Sequence, residues 1–96
     1  MKTKSIKVIR PDGRIRRAHV SADTRLSMKA LQTIIGGEIE VVALPGSRHM
    51  VIHAEGKIER LPANPIATKL AHDAESIQTD DYIAGTAILA PKMLFL

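Results

Sequence analysis

Histidines, carboxylates and serines are the side chains through which this chain could do metal, acid–base or nucleophilic chemistry. His49 and His53 stand four residues apart, a spacing that places two metal ligands on one face of a helix. Their neighbours Met50, Val51 and Ile52 favour a strand instead. On a strand, at ~3.3 Å per residue, the two imidazoles lie about 13 Å apart, too far for one metal ion to bridge. His19 and His72 have no partner at ligand spacing. Glu38 and Glu40 share a strand face, as paired acids in catalysis sometimes do, but no nucleophile or positioned histidine accompanies them, and a solvated strand face is the plainer account. Asp80 and Asp81 read as a loop cap. None of Ser5, Ser21, Ser27, Ser47 and Ser76 sits in a Gly-x-Ser-x-Gly elbow. Gly36-Gly37 follows a helix rather than opening one, and no Gly-Lys-Ser/Thr comes after it, so it is not a phosphate loop. These patterns point away from an enzyme and call for no metal or other cofactor.

The remaining chemistry is charge. Formal charge is +4, unevenly spread. Residues 1–25 carry Lys2, Lys4, Lys7, Arg10, Arg14, Arg16, Arg17 and Arg25 against Asp12 and Asp23, a net of +6, while the rest of the chain nets −2. Ser5 to Arg10 and Arg14 to Val20 read as strands joined by Pro11-Asp12-Gly13, a type I turn closed by a left-handed glycine. Pairing Arg10 with Arg14 sets Ile9 opposite Ile15, Lys7 opposite Arg17 and Ile6 opposite Ala18. Two of the resulting cross-strand pairs are like-charged, which is unfavourable. Either an anionic partner or a deliberately charged sheet edge explains them. On either account, positive potential concentrates on one side of the domain, and Arg14 and Arg17 lead as phosphate contacts because guanidinium binds phosphate bidentately.

The elements that position these residues are legible in order. Ser27 caps a helix through Ile35, with Ala30, Leu31, Ile34 and Ile35 as its buried stripe. Gly36 ends that helix in the left-handed region. Ile39 to Leu44 is a β-branched strand, Pro45 to Arg48 a turn, and His49 to Ala54 a fourth strand that completes an antiparallel hairpin. Lys57 to Leu61 reads as a short extended piece. Asn64 followed by Pro65 starts a second helix, with Ile66, Ala67, Leu70 and Ala71 inward. Asp73 to Asp81 is a polar loop. Tyr82 to Ala90 is a last strand whose lack of charge suits the sheet interior.

At 96 residues the chain is expected to form one domain, residues 1–96. The fold class is α+β: a small antiparallel or mixed sheet of hairpins, one main helix at about 27–35 packed across a face, and a short second helix at about 65–71. Cysteine is absent, which excludes disulfides and thiolate sites. No apolar run approaches the ~18–20 residues of a membrane span, and no signal peptide is evident. A soluble cytoplasmic protein without a membrane partner is therefore expected. Tyr82 and Phe95 are the only aromatics, so there is no platform for stacking unpaired bases.

Leu31-Gln32, Ile35-Gly36-Gly37, Ile39-Glu40-Val41-Val42, Glu55-Gly56-Lys57, Leu61-Pro62-Ala63-Asn64, Ala67-Thr68 and Ile83-Ala84-Gly85-Thr86 occur in a fixed order. Together they resemble the domain of unknown function 3846 family, small proteins of phages, plasmids and bacterial mobile elements. The resemblance spans roughly residues 26–90 and implies a small α+β domain in a phage or mobile-element setting. It implies no established activity and no catalytic residue. Glu38 stands where such proteins often carry an aromatic, and members often run on past the last strand. By motif position Glu40, Glu55, Lys57 and Asn64 are the polar places for a shared site; strand-edge solvation, turn chemistry and helix capping are their plainer accounts.

The expected function is a small non-catalytic protein binding an anionic partner, a nucleotide-type ligand or nucleic-acid backbone, through Lys7, Arg10, Arg14 and Arg17. A counter-defence role in the host cytoplasm fits that setting. The alternative is a protein–protein inhibitor of a host factor. The apolar run Met93-Leu94-Phe95-Leu96 packs either on a second subunit, most simply in a homodimer, or back on its own core.

Overall fold

The computed structural model describes residues 3–21 and 26–91. The tail at 93–96, and with it the expected subunit contact, lies outside the described residues. Among the described residues seven elements follow one another: β1 (Thr3–Ile9), β2 (Ile15–Ser21), α1 (Met28–Ile35), β3 (Ile39–Leu44), β4 (Arg48–His53), α2 (Pro65–Asp73) and β5 (Ala87–Pro91). The strands form one sheet in the order β2-β1-β5-β4-β3, and every neighbouring pair is antiparallel. This is the α+β architecture of hairpins that the sequence predicts.

The β1–β2 register is the expected one, with Ile9 opposite Ile15, Lys7 opposite Arg17 and Ile6 opposite Ala18. The turn is held by Arg10 N–H donating to Arg14 O at 2.9 Å and Gly13 N–H donating to Arg10 O at 3.0 Å. Continued across the sheet, the register lines up Arg17, Lys7, Leu89, Met50 and Val42 as one row. Arg16, Val8, Ile88, Val51 and Val41 form the adjacent row, which by strand alternation faces the other way.

Each face receives one helix. Leu31 and Ile35 of α1 cluster with Val51 and Ile88, with Val8, Leu26 and Ile39 around them. On the opposite face Ala67 and Ala71 of α2 join Ile9, Met50, Ile52, Ile83 and Leu89. Covered on both sides, β5 is buried from Ala87 to Ala90, which explains its uncharged sequence. A fully buried leucine or isoleucine contributes about 1.5–3 kcal/mol of transfer free energy, so these two layers dominate stability.

Four local expectations change. The α1 stripe is narrower: Ala30 is exposed and Ile34 is 44% exposed, because the eight-residue helix touches the sheet only along the line from Leu31 to Ile35. Lys57 to Leu61 is not extended. It runs in tight turns closed by Glu59 N–H to Glu55 O and Leu61 N–H to Gly56 O, both 2.9 Å. The last strand begins at Ala87 rather than Tyr82, and it includes Pro91 instead of ending before it. Residues 82–86 are irregular because their backbone groups serve other partners: Ile83 N–H donates to Thr68 Oγ1, and Ile83 O accepts from Asn64 N–H.

Both helix caps form as expected. Ser27 accepts from Ala30 N–H at 3.1 Å, and Gly36 closes α1 at φ 91°, a backbone conformation strained for any residue with a Cβ. Asn64 accepts from Ala67 N–H at 3.1 Å to start α2.

Candidate functional site

The polar residues singled out in the sequence fall into three places. Lys7, Arg10, Arg14 and Arg17 lie on the β1–β2 hairpin at one end of the sheet order. Glu40 and Lys57 meet at the opposite end. Glu55 is exposed in the turn after β4, and Asn64 is completely buried.

The hairpin gathers its cations on one edge but divides them between faces. Lys7 and Arg17 are directly opposed and point to the α2 side; Arg10 and Arg14, three positions further along their strands, fall on the other side, with Arg16. Arg14 pairs with Asp12 at 3.5 Å, but both groups are well solvated and the pair is worth little. Among the described residues, Lys7, Arg10, Arg16 and Arg17 have no carboxylate partner. The hairpin tip carries a shallow depression of about 410 Å³ lined by Arg10, Arg14, Ile15 and Arg16.

At the far end, a cleft of about 670 Å³ runs between β3 and the segment after α2, with Glu40, Val42, Ile52, Lys57, Asp81 and Tyr82 in its walls. The Lys57 ammonium is hydrogen-bonded to the Asp81 carboxylate and stands 5.5 Å from the Tyr82 ring centre. That hydrogen bond holds Lys57 above the ordinary lysine range. The same bond, helped by Tyr82 N–H, keeps Asp81 below the usual carboxylate range. The sequence does not mark Asp81 and Tyr82 as site residues. No spacing announces them, because Glu40, Lys57 and Asp81 come from three separate segments and meet only when the sheet is built.

Asn64 has a visible structural assignment. Its Nδ2 donates to Ile9 O and to Gly85 O, each at 2.9 Å, while its Oδ1 caps α2. One side chain thus ties the end of β1, the approach to β5 and the start of α2.

His49 and His53 lie on strand β4, as expected from their neighbours. His53 is buried under Gly37. Its Nδ1 accepts from Glu55 N–H at 3.0 Å, so the proton sits on Nε2, 3.7 Å from Glu59 Oε2.

No curated protein and no solved structure matches the chain. A family model does: the one described as Domain of unknown function (DUF3846) matches residues 1–92, which takes in the hairpin, both helices and the cleft. The chain belongs to the DUF3846 family.

Proposed function

We propose that the protein is a non-catalytic binder of nucleic-acid backbone, working through the β1–β2 hairpin. The observation that carries this reading is the directly opposed pair Lys7 and Arg17 on an edge hairpin, with no carboxylate partner among the described residues. Like charges in that arrangement oppose folding by a few tenths to about 1 kcal/mol. An anionic partner turns that cost into binding free energy.

An extended polyanion fits better than a single nucleotide. The cations lie on both faces of the β1–β2 end of the sheet and around the hairpin tip, rather than converging on one enclosed cavity. Arg14 and Arg17, on opposite faces, are the leading contacts because their guanidinium groups bind phosphate oxygens in pairs. Without aromatic side chains on the hairpin, binding follows charge and backbone shape and not the stacking of bases. In the phage or mobile-element setting implied by the family resemblance, such binding is suited to countering host defences.

The test is an anisotropy titration of a short labelled duplex, with a nucleoside triphosphate as competitor. The parent protein is expected to bind the duplex, and Arg14→Ala/Arg17→Ala to weaken it by about tenfold or more. Absent duplex binding in the parent, or preference for the triphosphate, overturns the reading.

A further inference from the structure

The two edges of the sheet are guarded differently. Strand β2 exposes Arg16 and Arg17, charges that discourage pairing with another chain. Strand β3, at the other edge, is six residues of Ile-Glu-Val-Val-Ala-Leu with no lysine, arginine or proline, and Val41 is 47% exposed.

The register shows which backbone groups of β3 point outward. Ala54 N–H donates to Glu38 O, and hydrogen-bonded positions alternate along an antiparallel ladder. Glu40, Val42 and Leu44 therefore bond to β4, while Ile39, Val41 and Ala43 direct N–H and C=O away from the sheet. Ser76 Oγ donates to Ala43 O at 2.7 Å, which agrees with this assignment and closes that end of the edge. Among the described residues nothing takes the outward groups of Ile39 and Val41.

The 670 Å³ cleft lies along this edge, touching Glu40 through Ala43 of β3. Its charged walls are Glu40, Glu75, Asp81 and Lys57, and the Lys57 ammonium is already engaged by Asp81. Glu40 and Glu75 are left as exposed carboxylates at the mouth.

The geometry points to a peptide-binding site: an extended segment of another protein adds to β3 as a sixth strand, with alternating basic and apolar residues. Backbone groups of Val41 and Ile39 supply the hydrogen bonds. Basic side chains of the segment, on the same face as Glu40, enter the cleft and meet its carboxylates. The intervening apolar side chains cover Val41 on the opposite face. This site stands at the other edge from the hairpin and does not depend on nucleic-acid binding.

The probe is a peptide matched in length to β3, arginine alternating with valine, titrated into the labelled protein while backbone amides are followed by NMR. Saturation is expected to slow exchange of the Val41 amide by about tenfold or more. N-methylation of the peptide along one edge, or Val41→Pro in the protein, is expected to weaken binding by at least about tenfold. Glu40→Lys weakens it as well. The N-methylated peptide leaves the protein intact, so the comparison holds even where Val41→Pro unfolds. A parent that ignores the peptide overturns the proposal, as does binding insensitive to N-methylation. A Val41 amide already protected without peptide, in a protein that light scattering shows to be dimeric, overturns it in favour of self-pairing. Duplex binding by the parent should be unchanged when the peptide saturates the β3 edge, which separates failure at this edge from failure at the hairpin.

Discussion

Lys7 and Arg17 face each other on adjacent strands, at the basic end of a row that continues through Leu89 and Met50 to Val42. The first three-fifths of that row passes from solvated cations to buried hydrocarbon with no carboxylate to neutralise it. Replacing Arg17 by alanine removes a like-charge contact and no apolar burial. Stability is expected to hold or rise by about 0.2–1 kcal/mol, more at low salt than at high salt. Thermal melts of parent and variant at two ionic strengths check this; a clear loss of stability would show that Arg17 has a structural partner.

Asn64 carries the opposite expectation. Asn64→Ala strips the cap of α2 and leaves Ile9 O and Gly85 O buried without their donor. The loss is expected to be about 3 kcal/mol or more, read from urea unfolding. Asn64→Asp is expected to be no better, because a carboxylate cannot donate to those two carbonyls.

Gly37 and His53 are coupled through contact. A Cβ at Gly37 would come within 2.5 Å of His53 Nε2, on a residue that is 5% exposed and held through its Nδ1 by Glu55 N–H. Gly37→Ala is therefore expected to destabilise by about 1–3 kcal/mol. In the background of His53→Ala the same change should cost much less, and a double-mutant cycle measures the difference.

The Lys57–Asp81 pair sets a modest pH dependence. Asp81 titrates lower in the folded protein than its ordinary 3.8, so its contribution is present above that pH and is lost as pH falls through the folded value. Lys57 titrates above its ordinary 10.5, so its contribution is full below that pH and is lost as pH rises through the folded value. Both groups are well solvated, and the effect at each limb is about 0.5 kcal/mol. Asp81→Asn is expected to lower stability slightly in the neutral region and to converge with the parent at both pH extremes, flattening both limbs of the stability–pH curve.

Much of the fold is legible because its signals are local. Pro11-Asp12-Gly13 specifies the hairpin turn and hence the register of every β1–β2 pair. Ser27, Gly36 and Asn64-Pro65 mark helix ends by their own side-chain and backbone chemistry. The misread segments answer to distant partners. At Gly56 a Cβ would fall 2.7 Å from Ala84 O, so the chain at 55–61 coils against the approach to β5 instead of extending. Residues 82–86 look like strand by composition, yet Thr68 and Asn64 claim the Ile83 backbone groups that a ladder would use. The cleft is hidden for the same reason: Glu40 and Lys57 are legible as polar positions, but their meeting with Asp81 and Tyr82 depends on how α2 returns the chain to β3.

The most direct measurement of the central claim is the salt dependence of duplex affinity for the parent and for Arg14→Ala/Arg17→Ala. If the hairpin binds phosphates, log K falls linearly with log salt in the parent. Removing two phosphate contacts should then flatten the slope by roughly 2, at about 0.9 per contact, while the thermal melt stays at or above that of the parent. A double variant that is folded and binds with the parent's slope would contradict the account, leaving these arginines as the solvated guard of a sheet edge.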